Sequence, residues 1–202
     1  MPMTEGQTVP SARRNELLEA AYRYALEHGL AHVSLRPLAA AIGSSPRVLI
    51  FLFGSKDGLV RAILARARAE ELRLLEHLRR PGDGEAVGLA AAVERVWRWL
   101  AAAEHRQLLT MWAETYATSL VDPDGVWGGF AAATVRDWLA VLADCQPAHD
   151  RDGPDGVAGR TLALAVLRGA LLDLLATADD VRVTAAVRHQ LALIEPGHRP
   201  AP

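Results

Sequence analysis

The sequence predicts an all-α fold, and three observations carry that expectation. Apolar residues recur at intervals of three and four rather than two. Strand signals are nearly absent, and Ser, Pro and Gly stand where helices should start and stop. With 202 residues, half of them hydrophobic, the chain can bury one substantial core, or one core and a small appended module.

The elements follow in order. Residues 12 to 28 place Leu17, Leu18, Ala21, Ala25 and Leu26 on one face, and His28-Gly29 supplies a stop. Ser34 stands at an N-cap position before a short second helix carrying Leu35, Leu38, Ala39 and Ile42, closed by Gly43. Ser45 caps a third helix that has Pro46 at its first position, where a missing N–H costs nothing, and Gly54 at its end. Ser55 opens a long fourth helix, with a stripe of Val60, Ile63, Leu64, Ala67, Leu74, Leu75 and Leu78 running to about Arg80. "PGDGEAVG" is the one clear linker in the first half. Beyond it the spacing predicts helices at roughly 86–103, 105–120, 125–145, 156–177 and 180–194. "VDPDG" and "QPAHDRDGPDG" read as turns, "GVWGG" as a helix start, and residues 1–10 and 196–202 as disordered tails.

Composition narrows the function. The polar head has no apolar signal segment, and the most apolar run is broken by Arg168 and Asp173, so a cytoplasmic, non-membrane protein is expected. The single cysteine, Cys145, excludes an internal disulfide and a thiol-based zinc site, and reads as a small buried residue. No serine or cysteine sits beside a base in a recognisable elbow, and no histidines pair at ligand spacing. "DRDGPDG" fails as a calcium loop because its twelfth position is Thr161. Neither catalytic residues nor a metal or cofactor is therefore expected. Residues 1 to 80 hold 12 Lys/Arg against 8 Asp/Glu, and the remainder 10 against 16, so the front is mildly basic and the back acidic. That asymmetry suits a nucleic-acid-binding front attached to another module.

Helices two and three, joined by about three residues around a glycine, have helix-turn-helix spacing over about 34–53, although an ordinary helical hairpin has the same spacing. The wording of residues 11 to 64 adds to this. Leu17, Ala20-Ala21, Gly29, Ser34, Arg36, Leu38-Ala39, Gly43, Ser45, Leu49, Phe53, Ser55-Lys56 and Leu59 resemble, in order, the DNA-binding domain of the tetracycline-repressor (TetR) family of bacterial regulators. The resemblance covers about a quarter of the chain. It implies a helix-turn-helix DNA-binding domain at 11–56, linked by the long fourth helix to a helical ligand-binding and dimerisation domain at 57–195.

In this reading Ser34 and Lys56 meet phosphates, Ser45 and Pro46 open the recognition helix, and Arg36 and Arg47 are the long donors able to reach base edges. Arg13 and Arg14 precede helix one, either as an arm reaching the DNA or as solvated helix-start charges. The sequence departs from the family at Ile50, Phe51 and Leu52, where relatives usually carry tyrosine followed by aromatic or histidine residues. Three explanations stand: one or two of these side chains face inward, Ile50 or Phe51 packs on thymine methyls, or DNA binding is weak.

The second half concentrates Trp97, Met111, Trp112, Tyr116 and Trp138, candidate walls of an effector pocket, with His105, Gln107, Glu114 and Arg168 as possible polar handles. Aromatics at helical spacing equally suit a plain core. The resemblance further implies a homodimer formed by the last two helices, for which Leu164, Leu167, Gly169, Leu171, Val187 and Leu191 are the candidate interface residues. The expected function is a homodimeric, sequence-specific DNA-binding transcriptional regulator, a repressor that binds a near-palindromic duplex and is released by a small apolar or amphipathic ligand. The alternatives are a ligand-binding helical protein with weakened DNA binding and, with less support, a small-molecule enzyme on the same body.

Overall fold

The structure is a computed structural model and describes residues 8–30, 33–79 and 88–194. Among these the chain is helical, with no strand: α1 (Thr8–His28), α2 (Leu35–Ala41), α3 (Pro46–Phe53), α4 (Lys56–Arg79), α5 (Leu89–Ala101), α6 (Arg106–Val121), α7 (Phe130–Asp144), α8 (Ala148–Arg151), α9 (Pro154–Thr177) and α10 (Asp180–Ile194). A single 3-10 turn, Ala103–His105, precedes α6. The all-α expectation holds.

Two compact units divide the chain, one holding residues 1–71 and 110–131, the other 72–109 and 132–202. The division runs through α4, α6 and the first turn of α7 rather than between helices. In the first unit, Leu17, Ala21, Tyr22 and Ala25 of α1 are buried with Leu38 and Ala39 of α2, Leu49 and Phe53 of α3, and Leu59, Val60, Ile63 and Leu64 of α4. Ile42, the last apolar residue expected on helix two, is only half-buried. Two glycines are dictated by this packing. Gly43 takes φ +63° so that the N–H groups of Gly43 and Ser44 return to the carbonyls of Ala40 and Ala39, ending α2 sharply. At Gly58 a Cβ would stand 2.0 Å from the Phe53 carbonyl oxygen, so only glycine lets α4 leave α3 this closely.

In the second unit α5 packs on α9 and α10, which pack on each other. Val93, Val96, Trp97 and Leu100 meet the layer of Leu164, Leu167, Leu171, Leu174, Val183, Val187 and Leu191 in one core. Cys145 is buried at the end of α7, where its carbonyl accepts the Gly88 N–H at 3.0 Å.

Several boundaries differ from expectation. α1 begins at Thr8, so residues 8–10 of the supposed disordered head are helical, while the remainder of both tails lies outside the described residues. Pro10 falls in the first turn, where its missing N–H costs no bond. "GVWGG" is a turn, and α7 starts only at Phe130. "QPAHDRDGPDG" contains the one-turn helix α8. Most of the linker "PGDGEAVG" lies outside the described residues.

Candidate nucleic-acid interface

The axes of α2 and α3 cross at 101°, within the range of helix-turn-helix pairs. Ser45 Oγ accepts the Val48 N–H at 3.3 Å and Pro46 takes a first-turn position, so the start of α3 is fixed by local chemistry alone. Ser55 Oγ accepts the Gly58 N–H at 2.9 Å and fixes α4 in the same way. Ser34 is exposed in extended backbone and its side chain makes no cap hydrogen bond. Arg36, Arg47 and Lys56 are all exposed. Lys56 opens α4 beside Asp57, which lies in the same first turn and answers the helix dipole there.

Burial sorts the apolar run of α3. Leu49 is fully buried and Phe53 nearly so. With about 100° per residue, the face opposite that pair is centred on Phe51, flanked by Arg47 and Val48. Exposure agrees: Phe51 is 83% exposed, Val48 39% and Ile50 38%, with Leu52 half-buried. Phe51 therefore does not face inward, and Leu52 alone of the three unusual residues is substantially covered.

Arg13 and Arg14 do not form an arm. Both lie within α1; Arg13 pairs with Glu16 at 3.2 Å and the Arg14 guanidinium stands 4.9 Å from the Phe53 ring centroid, a cation–π contact from α1 to the end of α3. The reason is the early start of α1, which absorbs both arginines into its second turn.

The candidate effector residues are divided between the units. Met111 is buried on α6, where Trp112 and Tyr116 are half-buried with ring centroids 5.1 Å apart. In the other unit, Trp138 is buried on α7, and Trp97 is buried on α5 with its indole N–H donating to Thr184 Oγ1 at 3.1 Å. His105 stacks on Trp99, and its Nδ1 lies 2.8 Å from the Trp99 carbonyl oxygen. A cleft of about 250 Å³ opens beside Trp97, lined by Glu94, Arg98, Asp180, Thr184 and Arg188. Gln107 is exposed and Arg168 half-buried. Glu114 has a structural role that the sequence did not announce: its carboxylate accepts the Leu30 N–H at 2.8 Å, tying α6 to the chain just after α1.

The proposed dimer residues need correction. Leu164, Leu167, Leu171, Val187 and Leu191 are buried within the chain's own core, and only Gly169 of the six is exposed. They line the faces of α9 and α10 that meet α5 and each other, which leaves them unavailable to a second copy. Apolar residues left exposed include Val157, Leu162, Ala165 and Leu172 on α9, and Val181, Ala185 and Leu193 on α10. Among the described residues no group of three or more His, Cys, Asp or Glu is placed to hold a metal, and no single helix is long and apolar enough to cross a membrane.

A near-perpendicular helix pair whose second helix is capped at its start has the geometry of a helix-turn-helix. Residues 17–63 match the bacterial regulatory proteins of the tetR family. Whole chains share the fold. Salmonella enterica GusR is 23% identical, with TM-score 0.66 over 93% of this chain and 98% of its own. The multidrug binding protein EbrR, complexed with imidazole, is 24% identical, with TM-score 0.69 over 100% of both chains. SmeT, the repressor of the Stenotrophomonas maltophilia multidrug efflux pump SmeDEF, is 20% identical, with TM-score 0.65 over 96% of this chain and 98% of its own; it also superposes as a triclosan complex. A comparison with curated proteins finds no match. Residues 17–63 thus carry the helix-turn-helix segment of that family, and the likeness of the whole chain to these structures is a likeness of fold.

Proposed function

We propose that the protein is a homodimeric repressor that binds a near-palindromic duplex through α3 of each copy and leaves it when a small apolar or amphipathic ligand binds. The observation that carries the DNA-binding half is the outward face of α3, where Arg47 and Phe51 stand exposed above a buried Leu49. In this reading Arg47 and Arg36 reach base edges, Ser34 and Lys56 meet phosphates, and Ser45 and Pro46 set the start of the reading helix. Arg13 and Arg14 serve it from α1, Arg14 by bracing Phe53.

Two-fold dimers follow from the need to contact enough base pairs for genomic specificity. Along one face of α9 the exposed residues Leu162, Ala165, Gly169 and Leu172 are spaced three, four and three apart, the spacing of a helix–helix seam. Leu162 and Leu172 are about half exposed in the single chain, at 52% and 53%. Large apolar side chains so exposed along one helix face mark an interaction surface. Val181, Ala185 and Leu193 extend it onto α10.

Support for a ligand comes from the relatives: EbrR is a multidrug binding protein and SmeT is seen with triclosan. Met111, Trp112 and Tyr116 are the candidate contacts in one unit, and Trp97, Trp138 and His105 in the other. Ligand binding would act by favouring dimers whose two α3 helices no longer match the groove spacing. Selection from random duplexes at low salt tests the reading. Enrichment of a two-fold motif supports it, and enrichment of no motif removes it in favour of a ligand-binding protein that has lost its operator.

A further inference from the structure

The outward face of α3 offers one hydrogen-bonding side chain and a patch with none. Arg47 precedes Phe51 by one turn, Val48 lies beside both, and Ile50 sits at the flank. Phe51 is 83% exposed, so whatever the helix meets, Phe51 meets first. A helix built this way cannot identify bases chiefly through donors and acceptors.

The chemistry of the major groove limits what such a face can accept. Guanine shows two acceptors, cytosine a donor, and adenine an acceptor and a donor; thymine alone adds an apolar group, its 5-methyl. A phenyl ring set on the polar edges would strip them of water without replacing the bonds, at a cost. Set on thymine methyls, it removes apolar surface from water on both sides.

Resting on the DNA-binding reading above, we infer that Phe51, with Val48, reads thymine 5-methyl groups, so that each half-site combines a guanine held by Arg47 with adjacent thymines recognised by methyl contact. Ile50 widens the same apolar strip toward the neighbouring base pair. The polar surroundings fit a nucleic-acid partner: Arg47 and Arg36 are exposed on the two helices, and Lys56 follows within three residues of Phe53. The methyl is the recognised group, so 5-methylcytosine should substitute where thymine's hydrogen-bonding edge is not itself read.

The test replaces each half-site thymine of a selected duplex, in turn, by deoxyuridine, which keeps every hydrogen-bonding group and removes only the methyl. Affinity of the full-length protein should fall about three- to fivefold for each methyl that Phe51 covers. Phe51→Ala should bind thymine and uracil duplexes equally, with the salt dependence of the wild type, because Phe51 touches no phosphate. Its fold should be retained, since the side chain is exposed, and circular dichroism checks this. Wild-type affinity indifferent to uracil at every position overturns the inference while leaving DNA binding intact. Failure to bind any duplex at low salt overturns the DNA-binding reading and this inference with it.

Discussion

The carboxylate of Glu114, on α6, accepts a 2.8 Å hydrogen bond from the backbone N–H of Leu30, 84 residues earlier in the chain. The contact satisfies a buried residue's N–H just beyond the end of α1, where no helical carbonyl is available to it. Glu114→Ala would leave that N–H without its charged acceptor. Stability should drop by about 1.5–3 kcal/mol, read as a lower urea midpoint at unchanged slope. Glu114→Gln, which keeps an acceptor oxygen, should lose less; equal losses from the two would show that the bond contributes little.

Tyr22 is locked differently. Its hydroxyl donates to Glu70 at 3.2 Å, and the Arg66 guanidinium lies 4.7 Å from the ring centroid. Burial, and then the nearby Glu70 carboxylate, hold the phenol well above its ordinary value of 10.0. The folded state thus favours the neutral phenol. Its contribution is fully present below about pH 10 and is lost as the pH rises further, because the unfolded chain then releases the proton first. Tyr22→Phe should cost about 1 kcal/mol at pH 8, and the gap from wild type should narrow above pH 10. A gap constant from pH 8 to pH 11 would contradict this account.

Arg47 and Lys56 are predicted to fail in different ways. Arg47→Ala should relax selection at one base pair in each half-site, and Lys56→Ala should weaken binding to all sequences alike while reducing the salt slope by about one. Random-duplex selection and salt titration with each variant separate the two roles. Uniform losses from both would remove Arg47 as a base reader.

The two faces of α9 should also separate. Leu172→Glu, on the exposed face, should convert dimer to folded monomer in sedimentation or light scattering. Leu167→Ala, inside the chain's core, should instead lower stability by about 2–5 kcal/mol. A Leu172→Glu protein that sediments as the wild type would place the dimer seam elsewhere.

What the sequence made legible was what is determined locally. Ser45, Pro46, Gly43 and Ser55 announce helix ends through chemistry within a few residues, and α2, α3 and the start of α4 appear where they were expected. Leu38, Leu49 and Phe53, three of the positions that carry the family resemblance, are buried as core. Elsewhere a local pattern has two solutions. On α9 apolar residues run around the helix, so periodicity cannot say which face meets α5 and which is left open, and Leu164, Leu167 and Leu171 lie on the buried one. The polar head gave no sign that α1 reaches back to Thr8, which draws Arg13 and Arg14 into the helix. The Glu114–Leu30 bond joins segments too far apart in sequence for any spacing rule to find.

The most direct test of the two-fold, α3-mediated reading is affinity for a selected duplex as the spacing between its half-sites is changed. Two recognition helices held by one dimer must face the same side of the duplex, which repeats about every 10.5 base pairs. Inserting about five base pairs at the centre should therefore abolish specific binding while leaving salt-sensitive, non-specific binding in place. Unchanged affinity after that insertion would contradict the dimeric reading of the operator.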